Sequence, residues 1–167
     1  KGTCPEDCQI ELVASCKQTG DTISCPILSG KPIKAKISTI GGVKAILIGK
    51  SSEGNISIKE GSSSVESSEK LVIENKRLFI GSAEGNKEIK ITPLTVSNIA
   101  IKQLKLKNYK IELKDVGNLV YEIVGKKDVK IMGFIKVEMK IKSQVNAESG
   151  FIEKTEKPWW SFLVKEE

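Results

Sequence analysis

The sequence predicts a mainly β protein, α+β overall: an N-terminal antiparallel, sandwich-like β region followed by an αβββ module with one helix. Three observations carry this expectation. From Gln9 to Ile91, short β-branched runs alternate with Gly, Ser, Asn and Asp. At Thr92-Pro93 the apolar period changes from that of a strand to that of a helix. Beyond the helix, Ile135, Val137, Met139 and Ile141 alternate with Lys136, Glu138, Lys140 and Lys142, the pattern of a strand with one face in the core and one in water. At 167 residues the chain suits one well-buried domain or two small ones. With 39% hydrophobic and 29% charged residues and a mean hydropathy of −0.16, it reads as folded, neither disordered nor membrane-spanning.

The first 25 residues hold all four cysteines, Cys4, Cys8, Cys16 and Cys25. Two disulfides would staple a segment that otherwise frays, and an even count confined in this way points to an oxidising, extracellular or cell-surface setting. Cys4-x3-Cys8 also fits half of a zinc site. Its other half is missing, because eight residues separate Cys16 from Cys25 where a zinc ribbon has a second short pair, so no metal is expected. Four cysteines allow three connectivities, and spacing does not choose among them. The opening Lys1-Gly2-Thr3-Cys4, without Met, reads as a processed, mature form.

Strands are expected over residues 10–17, 22–28, 33–40, 43–49, 55–59, 71–74, 77–80 and 87–91. Asn75-Lys76 reads as a tight hairpin turn, and Gly41-Gly42, Glu53-Gly54-Asn55 and Glu84-Gly85-Asn86 punctuate the other runs. The serines at 62–64 and 67–68 read as a polar loop. Asn55-Ile56-Ser57 is an N-glycosylation sequon, with Asn55 placed outward and Ile56 and Ile58 inward by alternation. Thr92 can cap a helix and Pro93 can occupy its first turn, which predicts a helix over 93–104. Strands follow at 109–115, 119–131 with a break at Gly125, 133–145 and 151–155.

Histidine is absent, which removes the commonest general base and the commonest zinc ligand near neutral pH. There is no nucleophile elbow, phosphate-binding loop, dinucleotide fingerprint or EF-hand loop. The expectation is therefore a non-enzyme, with no catalytic residue and no cofactor. The net charge of +6 rests on 26 lysines and the single Arg77. Nucleic-acid sites favour the bidentate guanidinium, so a lysine excess reads as solvated strand faces and no nucleic-acid partner is expected.

Residues 92–156, a helix and three strands closing on Val145-Asn146-Ala147-Glu148-Ser149-Gly150-Phe151-Ile152, resemble a PepSY domain. That family of small extracytoplasmic modules typically closes on V-D-x-x-T-G-x-V; here Asn146 replaces the Asp and Ser149 the Thr. The longer pattern runs from Leu71 through Tyr121-Glu122-Ile123 and Met132-Gly133-Phe134 to Lys157-Pro158-Trp159-Trp160-Ser161-Phe162-Leu163. It is similar to a group of archaeal secreted or cell-surface proteins ending in K-P-W-W-x-F-L. The resemblance implies a surface location and no established activity. Because some PepSY-containing proteins restrain proteases, it also implies an alternative role as a secreted binding module or protease inhibitor.

The chain is thus read as a stapled β region (1–91), a PepSY-like module (92–157) and an aromatic tail (158–167). Both tryptophans and one of the four phenylalanines fall in that tail, and each Trp can bury roughly 150–250 Å². Three destinations are open: the chain's own sheet, a neighbouring subunit reached by strand addition or an aromatic pocket, and a membrane surface. Glu166-Glu167 weaken the last, and the tail is too short to span a bilayer, so no transmembrane segment is expected. Pro158, Trp159, Trp160, Phe162 and Leu163 are the candidate interface, with both tryptophans buried in the functional state. The functional expectation is an extracellular or cell-surface structural protein, partnered by copies of itself in a homo-polymer or by another surface protein, with peripheral membrane contact left open.

Overall fold

The computed structural model describes residues 17–19, 22–24, 32–82 and 84–165. Cys4, Cys8, Cys16 and Cys25, with the disulfides expected of them, lie outside the described residues, as do most of the runs at 10–17 and 22–28. The described strands are β1 (Lys17–Thr19), β2 (Thr22–Ser24), β3 (Ile33–Thr39), β4 (Gly42–Lys50), β5 (Ile56–Glu60), β6 (Ser63–Ser67), β7 (Lys70–Glu74), β8 (Arg77–Ser82) and β9 (Gly85–Ile89). Helix α1 (Pro93–Lys102) follows, then β10 (Lys107–Asp115), β11 (Leu119–Ile131), β12 (Ile135–Asn146) and β13 (Ile152–Glu156). A 3-10 turn (Trp159–Leu163) and the short β14 (Val164–Lys165) close the described chain.

The protein is mainly β, built from a smaller antiparallel sheet ordered β1-β2-β7-β8-β9 and a larger mixed sheet ordered β13-β12-β11-β10-β6-β5-β4-β3. The larger sheet is mixed because β6 and β10 run parallel, with Glu66 opposite Glu112 and Ser67 opposite Leu113. Their join is reinforced where Ser67 Oγ donates to the Leu113 carbonyl at 3.1 Å. Strands from both sides of residue 91 therefore share one sheet. They also share one apolar core, to which β3–β6 contribute Ile37, Ile46, Ile58 and Val65, the smaller sheet Leu78 and Ile80, and the later strands Leu113, Tyr121, Ile123 and Met139.

The helix begins where its cap chemistry places it. Thr92 Oγ1 accepts from the Thr95 N–H at 3.4 Å, and Pro93 takes the first turn, where a missing N–H costs nothing. A second acceptor comes from far along the chain: buried Glu60 receives the Leu94 N–H at 3.0 Å, setting a carboxylate at the positive end of the helix. Val96 and Ala100 are fully buried on the face that packs against β5 and β6.

Two expectations are corrected. The serine-rich stretch read as a polar loop contains β6, a central strand with Ser63, Val65 and Ser67 buried. Small hydroxyl side chains let α1 lie close over it, a packing reason that alternation of large apolar residues does not signal. The break at Gly125 does not occur either. Gly125 pairs with Ile141 inside an unbroken antiparallel register from Val120↔Asn146 to Ile131↔Ile135.

Candidate interaction site at the aromatic end

The β11–β12 hairpin forms a long ribbon whose tip extends past its neighbours. On one side β10 reaches only as far as Lys107↔Lys126, which leaves the last residues of β11 without that partner. β14 occupies part of the gap, pairing Lys130↔Lys165 and Ile131↔Val164, and the Met132 N–H donates to the Leu163 carbonyl at 3.1 Å. To arrive there from β13, on the opposite side of β12, the tail crosses the ribbon. Pro158, extended at φ −63° and ψ 154°, starts the 3-10 turn, and its carbonyl accepts from the Ser161 N–H at 2.9 Å.

That crossing splits the aromatic motif. Trp160 is half-buried and packs with Val164 and Val137 against the core. Trp159, Phe162 and Leu163 point outward, 81%, 73% and 41% exposed, with the Trp159 and Phe162 rings tilted at 44° and 6.4 Å apart. Within one copy, then, Trp160 is half-buried and Trp159 is exposed. The hairpin tip adds Met132, Phe134 and Ile135, also exposed. Three aromatic rings this open present on the order of 350–550 Å² between them, comparable to the ~300–600 Å² of the largest apolar patch on a typical monomer.

The tip geometry carries a cost. Met132 and Gly133 both take positive φ, 52° and 86°, with the Phe134 N–H donating to the Ile131 carbonyl at 3.2 Å. Gly is at home in such a turn, whereas a left-handed Met is disfavoured by roughly 1–2 kcal/mol. Sequence reasoning singled out the tail and missed the tip as part of the same surface. The available signal was Ile131-Met132-Gly133-Phe134-Ile135, a turn with no polar residue.

Charge is banded along the outer face of the ribbon. Lys130 and Lys136 stand opposite one another in the cross-strand pair next to the tip. The next row inward is Asp128 opposite Glu138, and these carboxylates reach further inward, to Lys107 and, at 2.8 Å, to Lys126. The hydrogen bonds that the two lysines donate to those carboxylates push both above their ordinary range. Nearer the middle of the sheet, Glu66, Glu112 and Glu122 stand side by side with lysines between them. Lys110 lies 3.3 Å from Glu66 and 3.4 Å from Glu112, and Lys114 lies 2.9 Å from Glu112 and 2.8 Å from Glu122. The Lys114 hydrogen bonds hold the Glu112 and Glu122 carboxyls below the usual range, the reverse of what a general acid requires.

The opposite end of the ribbon is formed by the β10–β11 and β12–β13 turns, joined where the Ala147 N–H donates to the Leu119 carbonyl at 2.9 Å. It exposes Val116 and Phe151. Its acids are Asp115, which pairs with Lys87 at 2.7 Å, Glu148, which pairs with Lys90, and Glu153, which accepts from Asn146 Nδ2 at 2.7 Å. Glu84 belongs to the neighbouring β8–β9 turn, where its N–H donates to Ser82 Oγ at 3.1 Å. Asn55 of the sequon lies elsewhere, half-buried in the β4–β5 turn, with its carbonyl accepting from the Ser51 N–H at 2.7 Å. Ser57 is buried in β5, its hydroxyl 3.2 Å from that of Ser64.

No family model, curated protein or solved structure matches the chain.

Proposed function

We propose that this chain is a non-enzymatic structural protein of the cell surface that associates with copies of itself through its aromatic end. The observation that carries the reading is the outward placement of Trp159, Phe162, Met132 and Phe134 on one end, part of it on a turn that costs the fold stability. A second copy is the favoured partner because the chain's own opposite end also exposes apolar side chains, Phe151 and Val116, that exposed aromatic rings can cover. Strand addition is the weaker route. The edge strand β13 exposes Glu153, Lys154, Thr155 and Glu156, and the other edge, β3, exposes Lys34 and Lys36, the charged guards that oppose edge pairing. The four cysteines within 25 residues support an oxidising, extracellular location.

Sedimentation velocity and negative-stain microscopy of the unreduced protein over a concentration series test this reading. Removing residues 158–167 would also strip Trp160 and Val164 from the core, so the informative variant is Trp159→Ala/Phe162→Ala, which alters only exposed rings. Wild type is expected to grow with concentration into ordered assemblies while the variant stays monomeric with an unchanged circular dichroism spectrum. Uniform small wild-type particles would overturn the proposal. A stoichiometric complex of those particles with a secreted protease would then favour the PepSY-type inhibitor, and binding to anionic vesicles a membrane role.

A further inference from the structure

We propose that Asn55 carries an N-linked sugar, and that the sugar is attached before β5 takes its place in the sheet. The proposal rests on the cell-surface location read above and is independent of self-association. Transfer to an Asn-x-Ser sequence needs two groups: the asparagine amide that accepts the sugar, and the hydroxyl two residues on that the transferase reads. The fold treats these two groups in opposite ways. Asn55 follows Ser52, Glu53 and Gly54 in the β4–β5 turn, all three of them exposed. The turn is held without the Asn55 side chain: the Ser51 N–H donates to the Asn55 carbonyl at 2.7 Å, the Gly54 N–H to the Ser51 carbonyl at 3.0 Å and the Glu53 N–H to Ser51 Oγ at 3.3 Å. Among the described residues the Asn55 side-chain amide makes no hydrogen bond, so a sugar on Nδ2 breaks none.

Ser57, by contrast, is 6% exposed in the interior strand β5, opposite Gly49 of β4 and Glu66 of β6, with its hydroxyl 3.2 Å from that of Ser64. Ile56 and Ile58 on either side of it belong to the core. A transferase must take hold of the segment free of its neighbours, and the folded sheet does not offer it in that form. The sugar therefore arrives while residues 55–57 are still an open chain, and folding then closes the hydroxyl away. In the transfer, Asn55 Nδ2 bonds to the anomeric carbon of a lipid-phosphate-linked oligosaccharide. The bond from that carbon to the phosphate oxygen breaks, the lipid phosphate leaves with the electron pair, and the amide nitrogen gives up one proton.

Tandem mass spectrometry of the full chain recovered from the surface of its own cells tests the site. A glycan is expected on the peptide that holds Asn55, lost in Asn55→Gln and in Ser57→Ala and kept in Ser57→Thr, which retains the hydroxyl. A bare Asn55 on the surface-borne chain overturns the inference and leaves the location standing, and a glycan that persists in Ser57→Ala overturns it as well. A chain found only in the cytosol overturns the location and the inference together. The order of events is read with purified oligosaccharyltransferase and lipid-linked oligosaccharide, offered either the folded, unglycosylated chain or a synthetic peptide of residues 51–61. The folded chain is expected to accept sugar at least about 10³-fold more slowly, the opening constant of a strand that comes free only with its core. Equal rates on the two acceptors would overturn attachment before folding.

Discussion

Replacing Gly125 with alanine tests the close approach that holds the ribbon to β10. A Cβ on Gly125 would stand 2.8 Å from Tyr109 Cβ and 3.1 and 3.2 Å from the Leu106 side chain. Carbon atoms in contact normally lie about 3.5–4.0 Å apart. The Tyr109 Cβ is fixed to its backbone, which leans toward Gly125 because the β10–β11 register shifts between Lys107 and Lys110, with Asn108 at φ 48°. Leu106 is buried and has nowhere to withdraw. Overpacking of this kind costs about 1–3 kcal/mol, against which replacing Gly returns about 0.4–1 kcal/mol through the unfolded chain. The net loss is about 1–2 kcal/mol, which for a chain of this size lowers Tm by about 2–8 °C. Thermal and urea unfolding followed by circular dichroism measure it. Gly41→Ala is the control, because a Cβ there would meet nothing closer than 3.7 Å. A Gly125→Ala protein that melts within 1 °C of wild type, by order of magnitude the noise of such a scan, would refute the packing argument.

Tyr121 is fully buried and its hydroxyl donates to the Ile91 carbonyl at 2.5 Å. Burial first, and then the nearby Glu60 charge, push its phenol far above the ordinary range. The unfolded phenol ionises near pH 10 and the native one stays protonated, so stability present below pH 10 is lost above it, at up to about 1.4 kcal/mol per pH unit. Tyr121→Phe should cost about 1 kcal/mol near neutrality and narrow its deficit between pH 10 and 11; urea curves that remain parallel across that window would contradict this. Met132→Asn should move two observables in opposite directions. Asn tolerates the left-handed turn, so thermal stability rises by up to about 1 kcal/mol, while self-association weakens as an apolar side chain leaves the contact. Unchanged association in sedimentation would remove Met132 from the interface.

The aromatic site was half legible in the sequence. Pro158-Trp159-Trp160-Ser161-Phe162-Leu163 stands out by composition alone, yet nothing local says that Trp160 turns inward while Trp159 turns outward. That division follows from the tail crossing the ribbon to reach the part of β11 that β10 leaves open, a consequence of strand lengths. The tip residues Met132, Phe134 and Ile135 join the tail for the same reason. Their own neighbourhood predicts a hairpin turn and does not say what lies beside it.

Most strand runs and the helix were written in the sequence because their causes are local. Alternation along β10 and β12 sorts side chains to two faces, Asn75-Lys76 adopts the positive φ of a primed hairpin turn, and Thr92-Pro93 caps a helix from adjacent positions. Tertiary structure alone decided that the serine-rich segment is the central strand β6, that it pairs in parallel with β10, and that Glu60 completes the cap of α1. It also decided that Gly125 marks a close approach where a break was expected. Each of these depends on partners distant in the chain, as with Ser67 and Leu113, 46 residues apart. Periodicity reports which face a residue can present, and only the assembled sheets determine what meets it.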